Sequence, residues 1–221
     1  EAPALHRMVA ELARSAEIPE PRLFIIPEAQ PNAFATGRNP AHGVVAVTEG
    51  LLRLMNERQI RGVLAHEIAH IRNRDILVAT VAASIAAAVT YIAQIGQFAA
   101  IFGGGSQRDD EDGPGLVGGL LMLIVAPIAA TLIQLAVSRS REYMADRTGA
   151  KLAGDPEGLA SALERLHESA GIIPSRANPA TASLFIINPL SGKGIQSLFS
   201  THPAVEERVR RLRMLDASDK R

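Results

Sequence analysis

Residues 61–74, R-G-V-L-A-H-E-I-A-H-I-R-N-R, carry the pattern on which the reading of this chain turns. At 3.6 residues per turn, His66 and His70 fall one turn apart on the same helical face, where both imidazoles can reach one cation. Glu67 falls about 60° from His70 around the helix, on the side away from His66, where its carboxylate can face a water in the open position of a metal. Ile60, Val63, Leu64, Ile68 and Ile71 form an apolar stripe, and only Gly62 weakens the helix. The stretch therefore predicts a core helix that also walls a zinc site. The plain alternative is an amphipathic helix with two surface histidines, so other parts of the chain must supply the rest of the site.

The 221 residues suffice for one domain with a full core, or two small ones. Formal net charge is zero, so there is no electrostatic footprint for nucleic acid. There is no cysteine, which excludes disulfides, thiolate metal sites and a cysteine nucleophile; His, Asp and Glu are left as the ligands for a metal. No G-x-x-x-x-G-K-[ST] loop occurs, so no nucleotide is expected. The chain starts at Glu1 with neither methionine nor an apolar signal region, which suggests a fragment or a processed form.

Working outward toward the N-terminus, residues 3–17 predict an amphipathic helix through Leu5, Met8, Val9 and Leu12, with His6 solvated and Pro19 and Pro21 ending it. Leu23 to Ile26 and Gly43 to Thr48 read as short strands. Between them, N-A-F-A-T-G at 32–37 reads as a short stretch ending in turn residues, and His42 as a loop residue. A strand-loop-strand unit just before the helix fits a peptidase, whose edge strand can pair with an extended substrate; by spacing alone a structural hairpin fits equally. Thr48 is placed to cap a helical run over Leu51 to Met55.

Toward the C-terminus the character changes. From Ile76 to Gln107 no residue is charged, and the part to Phe102 is almost wholly apolar. That exceeds the roughly 20 residues that a helix needs to span a bilayer. A second uncharged stretch, from Gly113 to Ser138, has its apolar body at Leu116 to Val137 and contains Pro127. The two flank a glycine-rich acidic loop, residues 103–115. Two helices apolar on nearly all sides need more covering protein than this chain offers, so a membrane hairpin over residues 76–137 is expected in preference to a buried one. It separates an N-terminal part, residues 1–75, from a C-terminal part, 138–221. Arg72, Arg74, Arg139 and Arg141 flank the hairpin while the loop holds Arg108 beside four acidic residues, which places the zinc helix on the cytoplasmic side.

S-R-S-R-E-Y-M-A-D-R-T-G-A-K-L, residues 138–152, predicts a helix ending near Gly149 with Glu142 and Asp146 one turn apart on one face. That is the spacing of a metal ligand and a group hydrogen-bonded to the ligand shell. With His66 and His70, Glu142 gives two imidazoles and a carboxylate, leaving a fourth position for water. A salt bridge to a neighbouring arginine accounts for Glu142 as well by spacing alone. Residues 156–169 read as an amphipathic helix with His167 at its surface, 171–197 as irregular, and Val205 to Leu215 as a basic amphipathic helix.

The set H-E-I-A-H at 66–70, two apolar spans, R-E-Y-M-A-D at 141–146, N-A-F-A-T-G at 32–37 and T-H-P-A-V-E-E-R-V-R-R-L at 201–212 resembles the HtpX-type membrane-integrated zinc metalloproteases, a family grouped with the CAAX prenyl endopeptidases. The resemblance covers nearly the whole chain with the motifs in order. It implies a mainly α fold with a small β-sheet (α+β), that is, a zincin-like metalloprotease domain with an inserted transmembrane helical hairpin. It implies one Zn²⁺ per chain on His66, His70 and Glu142, Glu67 as catalytic base, and Asp146 bonded to a ligand histidine. It places Asn32, with Ala33 and Phe34, along the substrate groove, and His202 and Arg208 near the active site, where they can steady an oxyanion. It also implies polypeptide substrates, chiefly membrane proteins, contact with the lipid bilayer, and a multi-pass place in the bacterial inner membrane with the catalytic domain facing the cytoplasm. Its members carry two further spans upstream that are not in this sequence. The expected function is endoproteolysis of misfolded or damaged membrane proteins in quality control and stress response. Prenyl-protein peptidase activity and a non-cleaving zinc-bound scaffold are the alternatives, and an intact Glu67 argues against the scaffold.

Overall fold

A computed structural model describes residues 2–102, 116–170 and 203–219. It is mostly helical with one three-stranded sheet. The described residues divide into two compact units, one drawn from 1–77 and 138–221 and the other from 78–137.

In the first unit, α1 (Ala2–Ser15) buries Leu5, Met8, Val9 and Leu12, the stripe expected from the sequence. It is closed before Pro19 is reached. The Ile18 N–H bonds the Ala13 carbonyl and the Glu17 N–H that of Arg14, with Glu17 at φ 56°. This is a left-handed helix terminus that usually takes glycine.

Strands β1 (Arg22–Ile26), β2 (Ala33–Thr36) and β3 (Val44–Thr48) lie in the order β1-β3-β2. β3 runs parallel to β1 and antiparallel to β2. The stretch expected to be a loop thus contains a strand, and a β1–β3 hairpin is excluded because those strands are parallel. Four residues, A-F-A-T, are too few for a period-2 signal to stand out; the pairing with buried β3 makes the strand. A 3₁₀ turn at Pro40–His42 follows, where His42 Nδ1 meets Asn39 Oδ1 at 2.7 Å. β2 is an edge. Because the Thr48 N–H bonds the Asn32 carbonyl, antiparallel alternation turns Phe34 and Thr36 toward β3 and leaves the N–H and C=O groups of Ala33 and Ala35 facing outward.

Thr48 then caps α2 (Glu49–Leu54), its hydroxyl accepting from the Leu51 N–H. The metal-motif helix α3 (Glu57–Arg72) begins a turn earlier than Arg61. Its start is a capping box: the Asn56 side chain accepts from the Gln59 N–H, and the Gln59 side chain from the Asn56 N–H. Gly62 is a packing residue rather than a weak point. A Cβ there would fall 2.5 Å from the backbone nitrogen of Leu159 in α6 (Pro156–Ala170), so the absent side chain lets α6 lie against α3. α7 (Val205–Asp219) packs on α6, and the core runs through Val9, Leu12, Val47, Leu64, Ile68, Leu163 and Leu212.

α4 (Asp75–Phe102) and α5 (Leu116–Ala153) hold the uncharged stretches. Pro127 lies within α5, and the helix expected to end near Gly149 continues to Ala153. Among the described residues, one helical segment, Asp75–Gly96, is long and apolar enough to cross a membrane, and almost none of it is buried. A core helix of that composition would be covered. Loop 103–115 and stretch 171–197 lie outside the described residues, as does His202.

Candidate metal centre

α3 buries His66 and Glu67 and half-covers His70 because its apolar stripe is pressed on the sheet side and the α6 side at once. Nε2 of His66 and Nε2 of His70 are 3.0 Å apart, with the rings edge to face. Across from them α5 presents Glu142, whose Oε2 is 3.8 Å from His66 Nε2 and whose Oε1 is 3.7 Å from His70 Nε2. Gly149 makes this approach possible. A Cβ at that position would fall 2.9 Å from both N and Cα of His66, so only a glycine lets α5 come so near α3. Gly149→Ala is accordingly expected to force the helices apart, lowering stability by about 1–3 kcal/mol. Thermal unfolding of the two proteins, run beside their metal content, checks it.

Each ligand candidate has its own partner. Asp146, one turn after Glu142 and buried, sets Oδ1 3.1 Å from Nδ1 of His66. Asp75 sets Oδ2 2.6 Å from Nδ1 of His70. Arg208 reaches in from α7, fully buried. Its Nε and Nη2 donate to the two oxygens of Asp146 at 2.8 and 2.7 Å, and Nη1 lies 3.4 Å from Glu142 Oε2. Glu142 thus has an arginine beside it, but Arg208 from the far end of the chain and not the neighbouring arginine that the spacing offered as an alternative, and the contact coexists with the cluster. Asp75, the last charged residue before the uncharged stretch that begins at Ile76, is not singled out by its sequence surroundings. Its one signal is spacing: an acid five residues after a ligand histidine, across a tight turn.

Electrostatics agree with this arrangement. Burial pushes the Glu67 carboxyl above the usual range, aided by Glu142 and opposed by His66 and His70 and by a hydrogen bond from the Ala35 backbone. Burial would also raise Asp146, but the Arg208 charge and its hydrogen bonds hold it at about 2. Burial would depress His70, yet the Asp75 hydrogen bond and the charges of Glu142 and Glu67 lift it to about 9. A metal ligand must be neutral imidazole, so an ion entering the metal-free chain near neutral pH displaces the His70 proton. Its apparent affinity should then rise by up to roughly tenfold per pH unit, levelling off as pH passes His70's raised value. Chelator competition at several pH values tests the slope.

Among the described residues, His66, His70 and Glu142 form a group able to hold a metal ion, with donor atoms within 4.8 Å of one another. Two nitrogens and a carboxylate oxygen, each with an orienting partner, fit a borderline-soft divalent ion with an open fourth position. Glu67 is beside this set, and through Ala35 it touches the outward edge of β2. Of the residues expected along a substrate groove, Asn32 is buried, its backbone N–H on Thr48 Oγ1 at 2.8 Å, and the Ala33 side chain is part of the core. His6 and His167 are exposed, the latter 3.9 Å from Glu206.

Peptidase family M48 matches over residues 1–216. Among similar proteins, a protease HtpX homolog of Aquifex aeolicus (strain VF5) is 53% identical over 215 residues, 96% of this chain and 71% of that protein. One of Pelotomaculum thermopropionicum is 57% identical over 212 residues, 96% and 75% of the two chains. One of Pyrococcus furiosus is 53% identical over 216 residues, 97% and 74%. The crystal structure of S. mikatae Ste24p is similar in fold, with a TM-score of 0.56 at 22% identity over 94% of this chain and 49% of that longer one.

Proposed function

The chain belongs to peptidase family M48 and is a metallopeptidase, and from that premise we propose that it is a membrane-bound zinc endopeptidase. Its proposed substrates are misfolded or damaged membrane proteins, cut at cytoplasmic segments in quality control and stress response. The observation that carries this reading is the buried constellation of His66, His70 and Glu142 with Glu67 beside it, next to β2, which among the described residues is an edge strand.

A zinc ion held by those three residues supplies Lewis acidity, lowering the pKa of water and polarising a carbonyl. The protein's own groups do the rest. The outward N–H and C=O groups of β2, beside Asn32, Ala33 and Phe34, pair with an extended substrate backbone, giving cleavage that depends more on exposed chain than on sequence. Glu67 takes a proton from the attacking water and returns it to the leaving amine. Burial raises its pKa above the ordinary carboxylate range, which favours its holding the proton that it must return. Arg208, committed to Asp146 and close to Glu142, acts in this reading by holding ligands in place. His202 is left as the candidate to steady the oxyanion. The uncovered α4 segment, which follows the metal helix in the chain, supports attachment to a bilayer.

The test uses chain purified in detergent. Wild type should hold one zinc and cleave casein, a chelator should stop cleavage, and Glu142→Ala should hold less zinc. Zinc bound without cleavage would favour a scaffold, and no zinc in the wild type would sink the metal reading.

A further inference from the structure

Asp75 opens α4 and is buried. A carboxylate in the first turn of a helix ordinarily serves that helix's own free N–H groups. Here one of its oxygens reaches back to the preceding helix, Oδ2 lying 2.6 Å from Nδ1 of His70. The reversal is made by the two residues between α3 and α4. The Asn73 N–H bonds the Ala69 carbonyl and the Arg74 N–H that of Ile71, with Arg74 at φ 55°. A left-handed conformation at an arginine costs roughly 1–2 kcal/mol, so something must hold the turn. The hold comes from α5: Nη1 of Arg141 donates to the Asp75 carbonyl at 2.7 Å, from the position next to Glu142.

We propose that Asp75 is the positioning residue of His70. Its carboxylate accepts the Nδ1–H, fixes the tautomer with the lone pair on Nε2, and aims that lone pair at the ion. Asp146 lies beside His66, Oδ1 at 3.1 Å from Nδ1, but without the hydrogen-bond geometry that Asp75 has toward His70. Without Asp75, His70 would be oriented by its own helix alone, and it is the more exposed of the two imidazoles, at 19% against 1%. Because Asp75 is the first residue of the apolar helix and Arg141 precedes Glu142, the aim of His70 and the place of Glu142 are tied through one arginine to the point where that helix starts.

The inference rests on the metal site proposed above, so the experiment separates the two. Zinc affinity of full chain in detergent is measured by chelator competition for wild type, Asp75→Ala, Asp75→Asn and Glu142→Ala, with helix content followed by circular dichroism. Asp75→Ala should bind zinc about 10–100-fold more weakly, and Asp75→Asn, which keeps an acceptor but no charge, should fall between it and wild type. In the zinc-loaded wild type the His70 Nδ1 proton should give a strongly hydrogen-bonded resonance that is absent from Asp75→Ala. Affinity within about twofold of wild type in Asp75→Ala, with that resonance unmoved, would overturn the assignment. Should Asp75→Ala lose helix content, Asp75→Asn decides, and unchanged affinity there overturns it. If Glu142→Ala also binds zinc as wild type does, the metal site itself is what has failed.

Discussion

Glu67→Gln should lower peptide cleavage by about 10²–10⁴-fold and leave the zinc content unchanged. Glutamine keeps the size of the side chain and an oxygen to accept the Ala35 N–H, but it cannot take a proton. Glu67 lies outside the donor group formed by His66, His70 and Glu142, so metal retention is expected. The pH profile gives a second reading. A base must be ionised to act, and burial sets the Glu67 pKa above the ordinary carboxylate range, so wild-type cleavage should rise with pH on a limb displaced upward from that range. That limb should vanish with the substitution. Zinc analysis with initial rates on casein across pH checks both. Loss of zinc from the variant would make Glu67 a ligand, and near-normal rates would remove it from proton transfer.

Arg208→Met should destabilise the fold by about 3–5 kcal/mol, the usual result of stripping one partner from a buried ion pair. Asp146 would keep its place in the interior without the two donors that now face its oxygens. Glu142 would lose a cation 3.4 Å away. The sign with pH follows from Asp146. Its folded value of about 2 lies below the ordinary 3.8, so its contribution is complete above about 3.8 and fades as pH falls toward 2. In the variant, burial acts unopposed by Arg208 and the acid transition should move to higher pH. Denaturant unfolding of Arg208→Met, Asp146→Asn and the double variant measures the coupling. A loss under about 1 kcal/mol would rank the pair with exposed salt bridges and deny it any structural role.

Much of this was legible in the sequence because it depends on local spacing. The pairing of His66 with His70 and of Glu142 with Asp146 is a matter of one helical turn, and the stripe on α1 shows in fourteen residues. The family match extended that reading to Arg208. What escaped depends on contacts between distant parts. Gly62 and Gly149 look like helix breakers until α6 and His66 are seen against them. β2 is too short to announce itself and exists because β3 is beside it. Asp75 reads as the edge of an apolar run until a left-handed Arg74 folds it back on His70.

The metal-binding unit is assembled from two lengths of chain with residues 78–137 between them. A ribosome therefore delivers His66, Glu67 and His70 well before Glu142 and Asp146, and Arg208 later still. Until the later helices arrive, the early histidines have neither their third ligand nor a covered environment, and contacts so far apart in sequence close slowly. The donor set is thus completed late: His66 and His70 gain their third partner only after the intervening segment has been made, and the Arg208 contacts form only when the last helix has packed.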